Sequence, residues 1–296
     1  FERKLLDPLY FVILTMYHEK FKNLPVAFAP SRIDHTLGET VSKAGLKQFR
    51  CAESEKFAHI TFFLNGGHNQ PFEGETDERI PSPKGIPFDQ VPELSLEEVA
   101  EEVIKSFDQA YDLVVTNFAN GDVIGHTSSK DAKIRCAEVV DYHLKKVITT
   151  AQTKGYVILV TADHGNLEQL FTSEGKPHVS HTENTVPFLI IDPDNNQPIL
   201  PQDGSLQDIT PTILRILNIE PPDAMTGSNL VPNINFGKNR KVLLIILDGW
   251  GNGLPDDTNP IHIGKTPFWD ELHHRYHFSQ LNASGEAVGL QAGKAG

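Results

Sequence analysis

Four short apolar runs, 113–116, 156–161, 186–191 and 242–247, each give way within a few residues to polar or acidic groups. Runs of this length and β-branched content read as buried strands of a parallel sheet, covered on both faces. Helical patterns lie between them. Leu96, Val99, Val103 and Phe107 recur at three- and four-residue spacing, as do Ile134, Ala137, Val140, Leu144, Val147 and Ala151, so each stretch offers one apolar face to a core. A third helix is expected over about residues 207–217, starting near Asp208 and stopped by Pro221 and Pro222, because proline cannot continue the hydrogen-bond ladder. This alternation predicts an α/β fold with a mostly parallel sheet flanked by helices. In such sheets ligands bind beyond the carboxyl ends of the strands, so the residues trailing each run are where chemistry is to be sought. Residues 66–95, opened by Asn65-Gly66-Gly67 and broken by Pro81, Pro83, Pro87 and Pro92, read as a long surface excursion, and residues 251–267 as a second.

At 296 residues with 39% hydrophobic content, the chain can build one large α/β domain or two small ones. A net charge of −13 argues against a nucleic-acid partner, which needs a concentrated cationic surface. A small anionic substrate stays open, because a few cations or metal ions can reverse the field inside a cleft. Only Cys51 and Cys136 are present, the second inside a helical pattern, so no disulfide framework is expected and a cytoplasmic location fits better. The apolar stretch from Leu9 to Tyr17 is too short to span a bilayer, and no membrane association is expected. The first residue is Phe1, not Met, and is not expected to be a translation start.

Three of the strand ends bring metal-ligating residues. After the first run come Asn117-Phe118-Ala119-Asn120-Gly121-Asp122 and Gly125-His126-Thr127; the second ends in Thr161-Ala162-Asp163-His164-Gly165-Asn166; the fourth closes in Leu247-Asp248-Gly249-Trp250-Gly251. His181 stands just before the third run, with His178 close by. A single Asp at a strand end is ordinarily an N-cap or turn residue, and a lone His an ordinary surface or core residue. The coincidence of Asp at three strand ends, with His beside two of them, points instead to a metal centre. Mixed carboxylate and imidazole donors suit Mn²⁺, Zn²⁺ or Co²⁺ and, less comfortably, Mg²⁺. The set Asp122, His126, Asp163, His164, His181 and Asp248 is large enough for two cations, which together could clamp a phosphate through an in-line displacement.

These motifs resemble the signatures of the cofactor-independent phosphoglycerate mutases, members of the alkaline phosphatase superfamily. So do Glu53-Ser54-Glu55-Lys56-Phe57-Ala58-His59, leading into Phe62-Phe63-Leu64-Asn65-Gly66-Gly67, and Ala283-Ser284-Gly285 with Ala287-Val288-Gly289-Leu290. The segment Asp208-Ile209-Thr210-Pro211-Thr212 with Met225-Thr226-Gly227 is similar to a feature of the wider superfamily. The resemblance implies an alkaline-phosphatase-like core and two divalent cations, Mn²⁺ foremost. It assigns Asp122, His126 and His181 to one ion and Asp163, His164 and Asp248 to the other, with Lys56 reaching the transferred phosphoryl group. His178 does not match the motif and is expected to be a bystander. The implied reaction interconverts 3- and 2-phosphoglycerate through a phosphoserine, in a monomer. Another superfamily member, such as a phosphopentomutase or metallophosphatase, and an inert metal-binding domain are the alternatives.

The order of segments departs from the family. There the Asp-Gly-Trp-Gly strand opens the chain and the Gly-Leu stretch leads into the serine nucleophile. The family order would correspond to residues 241–296, then an inserted phosphotransferase domain matched by nothing in this sequence, then residues 1–240, with residues 235–240 as the junction. The chain is therefore expected to be one phosphatase-type domain over 1–296 with its segments circularly rotated, to lack the serine, and to be inactive alone. It is either a circular permutant or pieces of a longer polypeptide numbered out of covalent order.

Overall fold

The computed structural model describes residues 8–16, 19–29, 33–194 and 198–295. Phe1, Tyr17 and Gly296, on which expectations about the chain's start, its first apolar stretch and its end partly fell, lie outside the described residues. The chain divides into two compact units, 1–34 and 35–296. In the first, Ile13 is buried and pairs with Val26 in a single parallel bridge, beside a short turn of 3₁₀ helix, Glu19–Phe21.

The second unit carries helix α1 (Leu37–Lys43), strands β1 (Gln48–Glu53) and β2 (Glu75–Ile80), helix α2 (Leu96–Ser106), strand β3 (Leu113–Phe118), and helices α3 (Asn120–Gly125) and α4 (Lys130–Thr153). Strands β4 (Tyr156–Thr161), β5 (Val186–Ile191) and β6 (Asp203–Ser205) follow, then α5 (Ile209–Ile216), β7 (Lys241–Leu247), α6 (Pro260–Ile263), α7 (Pro267–Arg275) and β8 (Phe278–Asn282). The strands form one sheet in the order β2-β1-β3-β7-β4-β5-β8-β6. β2, β1, β3, β7 and β4 are mutually parallel, and β3, β4 and β5 are buried at every residue.

The sheet is mostly parallel as expected, but β5 does not lie parallel with the other three apolar runs, for it is antiparallel to both β4 and β8. The reversal matters for the chemistry. Because β5 points the other way, the segment entering it, which carries His181, lies at the rim where β4 and β7 end. A parallel β5 would have put His181 at the opposite rim.

The stretch 66–95 is likewise not loop throughout, because β2 lies inside it. Its sequence, ETDERI, is polar because β2 is an edge strand, with Thr76, Glu78 and Arg79 facing water and Glu75 turned to Arg50. β1 gives no apolar run either, yet all its residues are buried, Gln48, Arg50 and Glu53 among them. Arg50 is accommodated by its guanidinium partners: it donates to Ile60 O at 2.6 Å and Gln48 Oε1 at 2.8 Å, while its Nε, which makes no hydrogen bond, lies 3.6 Å from the Glu75 carboxylate. The Ile60 bond ties down the π-helical turn His59–Phe63 that follows Lys56.

The helices form where the 3.6-residue pattern places them. Leu96, Val99, Ala100 and Val103 are the buried stripe of α2, and Ser129 caps α4 by accepting from Ala132 N at 3.2 Å. α2 and α4 pack on each other, α2 against β1 and β3 and α4 against β4, while α1 packs against α5 and β1. Cys51 and Cys136 are buried free thiols. No helix among the described residues is long and apolar enough to cross a membrane.

Glu53 provides a pH-dependent term. Its Oε1 accepts Ser95 N at 2.8 Å, at the start of α2. Burial, with the charges of Glu98 and Glu55, nevertheless pushes its pKa up to about 7 from 4.5. A raised carboxyl pKa favours folding below the unfolded value and loses that contribution as pH climbs through the folded one. Glu53→Gln should therefore gain on the wild type by about 3 kcal/mol between about pH 4.5 and about pH 7 and hold a constant difference outside that window. Urea unfolding of both proteins across the range checks this; parallel curves would refute it.

Candidate metal centre

The strand register assembles the centre. β7 lies between β3 and β4, with Phe118 opposite Leu247 and Thr161 opposite Ile246. Asp248 and Asp163 therefore leave the sheet level with one another, and α3 starts beside them. Asp122 and His126, four residues apart, share one face of the turn. His126 Nε2 lies 3.0 Å from Asp122 Oδ1, and His181 Nε2 reaches the same oxygen at 3.0 Å.

Two glycines let the backbones approach. A Cβ on Gly121 would stand 2.3 Å from Asp248 O, and one on Gly249, whose φ is +72°, 2.5 Å from Asp122 N. Only the smallest residue permits this contact, and only glycine adopts that φ without strain.

Five of the six anticipated ligands form two groups whose ligating atoms lie within 4.8 Å of one another: Asp122, His126 and His181, and Asp122, His164 and Asp248. Asp122 thus belongs to both. Asp163 stands against the second group, its Oδ2 3.6 Å from His164 Nε2, while its Oδ1 accepts the amides of His164 and Gly249 at 3.0 and 3.3 Å. His178 belongs to neither group.

The donors are prepared for a cation. His126 Nδ1 is 2.8 Å from Val179 O, a partner that fixes the proton there and turns the Nε2 lone pair toward Asp122. His164 and His181 stack at 3.7 Å, a spacing that two imidazolium ions would not tolerate. Burial keeps the His164 pKa below its ordinary value despite the attraction of Asp248, and the charges of His181 and Lys56 act in the same direction. Asp248 is 1% exposed; its Oδ2 accepts Asn117 Nδ2 at 2.7 Å, but its Oδ1 accepts no well-formed hydrogen bond. Burial, together with the like charge of Asp163, pushes Asp248 up to about 7. A fully buried carboxylate oxygen that accepts no well-formed hydrogen bond, flanked by further carboxylates and imidazoles and with only the Lys56 ammonium against it, fits a divalent ion.

Lys56 supplies the local cation, with Nζ 2.5 Å from Asp122 Oδ2 and 3.1 Å from Asp248 Oδ1. Burial alone would lower its pKa, but Asp248 and Asp122 outweigh that effect and hold the ammonium above its usual range. Burial likewise pushes Asp122 up, but the hydrogen bond from His181 and the charge of Lys56 win, holding it well below the carboxylate range.

Three supporting residues were not apparent from motif spacing. Asn117, inside β3, orients Asp248, and Asn166 Nδ2 donates to Asp122 Oδ1 at 3.2 Å. Both lie within the strand-end motifs, where they read as ordinary turn formers. Lys133, on α4, is 1% exposed and donates to His178 O at 2.6 Å, fixing the loop that leads to His181. A lysine in an amphipathic helix ordinarily signals the solvent face, so nothing in the sequence marked it.

The profile of the metalloenzyme superfamily matches residues 16–221 and 240–296. The chain belongs to the metalloenzyme superfamily. Among its relatives, the 2,3-bisphosphoglycerate-independent phosphoglycerate mutase of Microcystis aeruginosa is 44% identical over 239 residues, covering 78% of this chain and 45% of the relative. That of Clostridium botulinum is 43% identical over 233 residues, with 78% and 45% covered. Among solved structures, Leishmania mexicana phosphoglycerate mutase at low cobalt concentration superposes with a TM-score of 0.65 at 27% identity, covering 74% of this chain and 43% of that one. The chain thus spans about half the length of the relatives it matches. The mostly parallel sheet flanked by helices is the fold it shares with that mutase.

Proposed function

We propose that this member of the metalloenzyme superfamily is the metal-binding half of a phosphoglycerate mutase that interconverts 3- and 2-phosphoglycerate through a phosphoserine. The observation that carries the reading is the ammonium of Lys56 set between Asp122 and Asp248, the carboxylates that with three imidazoles make up both ligand groups. A phosphatase can release the phosphoryl group to water and need not retain it. A phosphoryl group held near the centre while it changes hydroxyls also needs a fixed point cation, and Lys56 is placed to be one. The relatives named above favour the same assignment.

On this reading Asp122, His126 and His181 would hold one divalent ion, and His164, Asp248 and Asp163 the other, with Asp122 belonging to both ligand groups. We assign Mn²⁺ to both on the mixed oxygen and nitrogen donor set. The ions would neutralise phosphate charge and acidify a hydroxyl. Lys56 would balance charge developing on the phosphoryl oxygens, and His126 and His164 would remain neutral donors. The serine nucleophile and the phosphoglycerate-binding residues match nothing in this sequence, and we assign them to the rest of the parent protein. The reading carries with it residues 1–296 as one phosphatase-type domain in rotated order; the superfamily profile's break over 222–239 supports a junction there. It also carries a monomer in the cytoplasm.

The parent protein should convert 3-phosphoglycerate without added 2,3-bisphosphoglycerate, lose activity on exhaustive chelation, and regain it with Mn²⁺. A polypeptide of residues 1–296 should bind Mn²⁺ and turn nothing over. Activity that survives chelation sinks the proposal, and turnover of pentose phosphates but not phosphoglycerate transfers it to a phosphopentomutase.

A further inference from the structure

Glu168 belongs to neither ligand group and matches none of the motifs described above, yet the segments carrying the ligands meet on it. Its side chain is buried, and both oxygens are fully engaged. Oε2 accepts the amides of Asn166 at 2.7 Å and Gly251 at 3.1 Å. Oε1 accepts the hydroxyl of Thr182 and Nδ2 of Asn184, the latter at 2.9 Å. Those donors belong to three loops. Asn166 follows His164 by two residues, Gly251 follows Asp248 by three, and Thr182 adjoins His181.

The close fit is built in on both sides. A Cβ on Gly165 would come within 2.3 Å of Glu168 Oε1, and one on Gly251 within 2.4 Å. Thr182 N also donates to Gly165 O at 2.9 Å, so the His164 and His181 loops are stitched to each other beside the carboxylate. Asn166 carries the connection inward through its hydrogen bond to Asp122.

We propose that Glu168 is a positioning residue: its carboxylate clamps the three loops and so sets the separation of the two ligand groups. This rests on the reading of those groups as a pair of Mn²⁺ sites. A buried carboxylate suits the task because it offers only acceptors, while every neighbour turned toward it is a donor.

Glu168→Gln keeps the shape but turns a donor toward at least one pair of those donors. In the intact protein we expect Mn²⁺ affinity, measured by titration calorimetry, to fall on the order of 10- to 100-fold at both groups. The exchange-coupled electron paramagnetic resonance signal of the ion pair should give way to that of isolated ions. Amide hydrogen exchange at Asn166 and Gly251 should quicken even in chelated protein. Thr182→Val removes one of the four donors to Glu168, together with a long acceptor contact to Asn184 N, and should weaken the ion held by His126 and His181 while sparing the other.

A folded Glu168→Gln protein with wild-type affinity and an unchanged coupled spectrum overturns the proposal. Should Glu168→Gln fail to fold, Thr182→Val decides: unchanged affinity for both ions overturns it, and selective loss of one supports it. A wild type that binds no Mn²⁺ overturns the metal reading itself, and this inference with it.

Discussion

Asp122→Ala should weaken metal binding at both ligand groups, whereas His126→Ala should affect one. Asp122 is common to the two groups, and the first keeps no other carboxylate, so its two neutral imidazoles would face a divalent charge without compensation. The second keeps Asp248 and His164 but loses an anion. The expected loss is at least on the order of 100-fold in Mn²⁺ affinity at the first group, with measurable weakening at the second. Titration calorimetry resolves the two steps. A variant that loses one ion and binds the other with wild-type affinity would show that Asp122 serves a single site.

The second large effect is expected from Gly249→Ala, a change of one methyl group that leaves every ligating side chain intact. The added carbon would have to occupy space 2.5 Å from Asp122 N, at a φ of +72° that alanine adopts only under strain. The amides of Asn166 and Leu167 both donate to Gly249 O, so displacement of this turn is passed directly to the loop bearing Asp163 and His164. Steric conflict and backbone strain together should cost about 3 kcal/mol of stability. Mn²⁺ affinity should fall in whatever protein remains folded, because Asp122 and Asp248 are pushed apart. Thermal unfolding with and without Mn²⁺ measures both effects, and a variant with wild-type melting and an undiminished Mn²⁺-induced rise would contradict this account.

What the sequence disclosed and what it concealed follow from the same physics. β3, β4, β5 and β7 were legible because strands buried on both faces must be apolar throughout. β1 was not, since its burial depends on Arg50, Gln48 and Glu53 finding partners outside the strand, at Ile60 O, Gly38 O and Ser95 N. The polar edge strand β2 passed for loop for a different reason: Thr76, Glu78 and Arg79 face water, so it has no apolar run. Asp122, Asp163, His164 and Asp248 were legible as candidates because they stand at strand ends. The double membership of Asp122 was not, because it depends on how closely two turns approach across the sheet, and spacing along the chain carries no such information. The direction of β5, which brings His181 to the proper rim, was equally hidden, since an apolar run has the same composition whichever way it points.

β7 occupies the middle of the sheet, although its residues, 241–247, come more than a hundred positions after β3 and eighty after β4 begins. Until it docks, β3 and β4 each present an unpaired backbone edge lined by buried-type side chains, with nothing but this late strand to fill the gap. In a chain of this order, a partly folded species is therefore adhesive along its centre rather than at its margins, where polar β2 would be harmless. Assembly should be slow and prone to self-association, and a peptide matching residues 241–247 should compete for the slot.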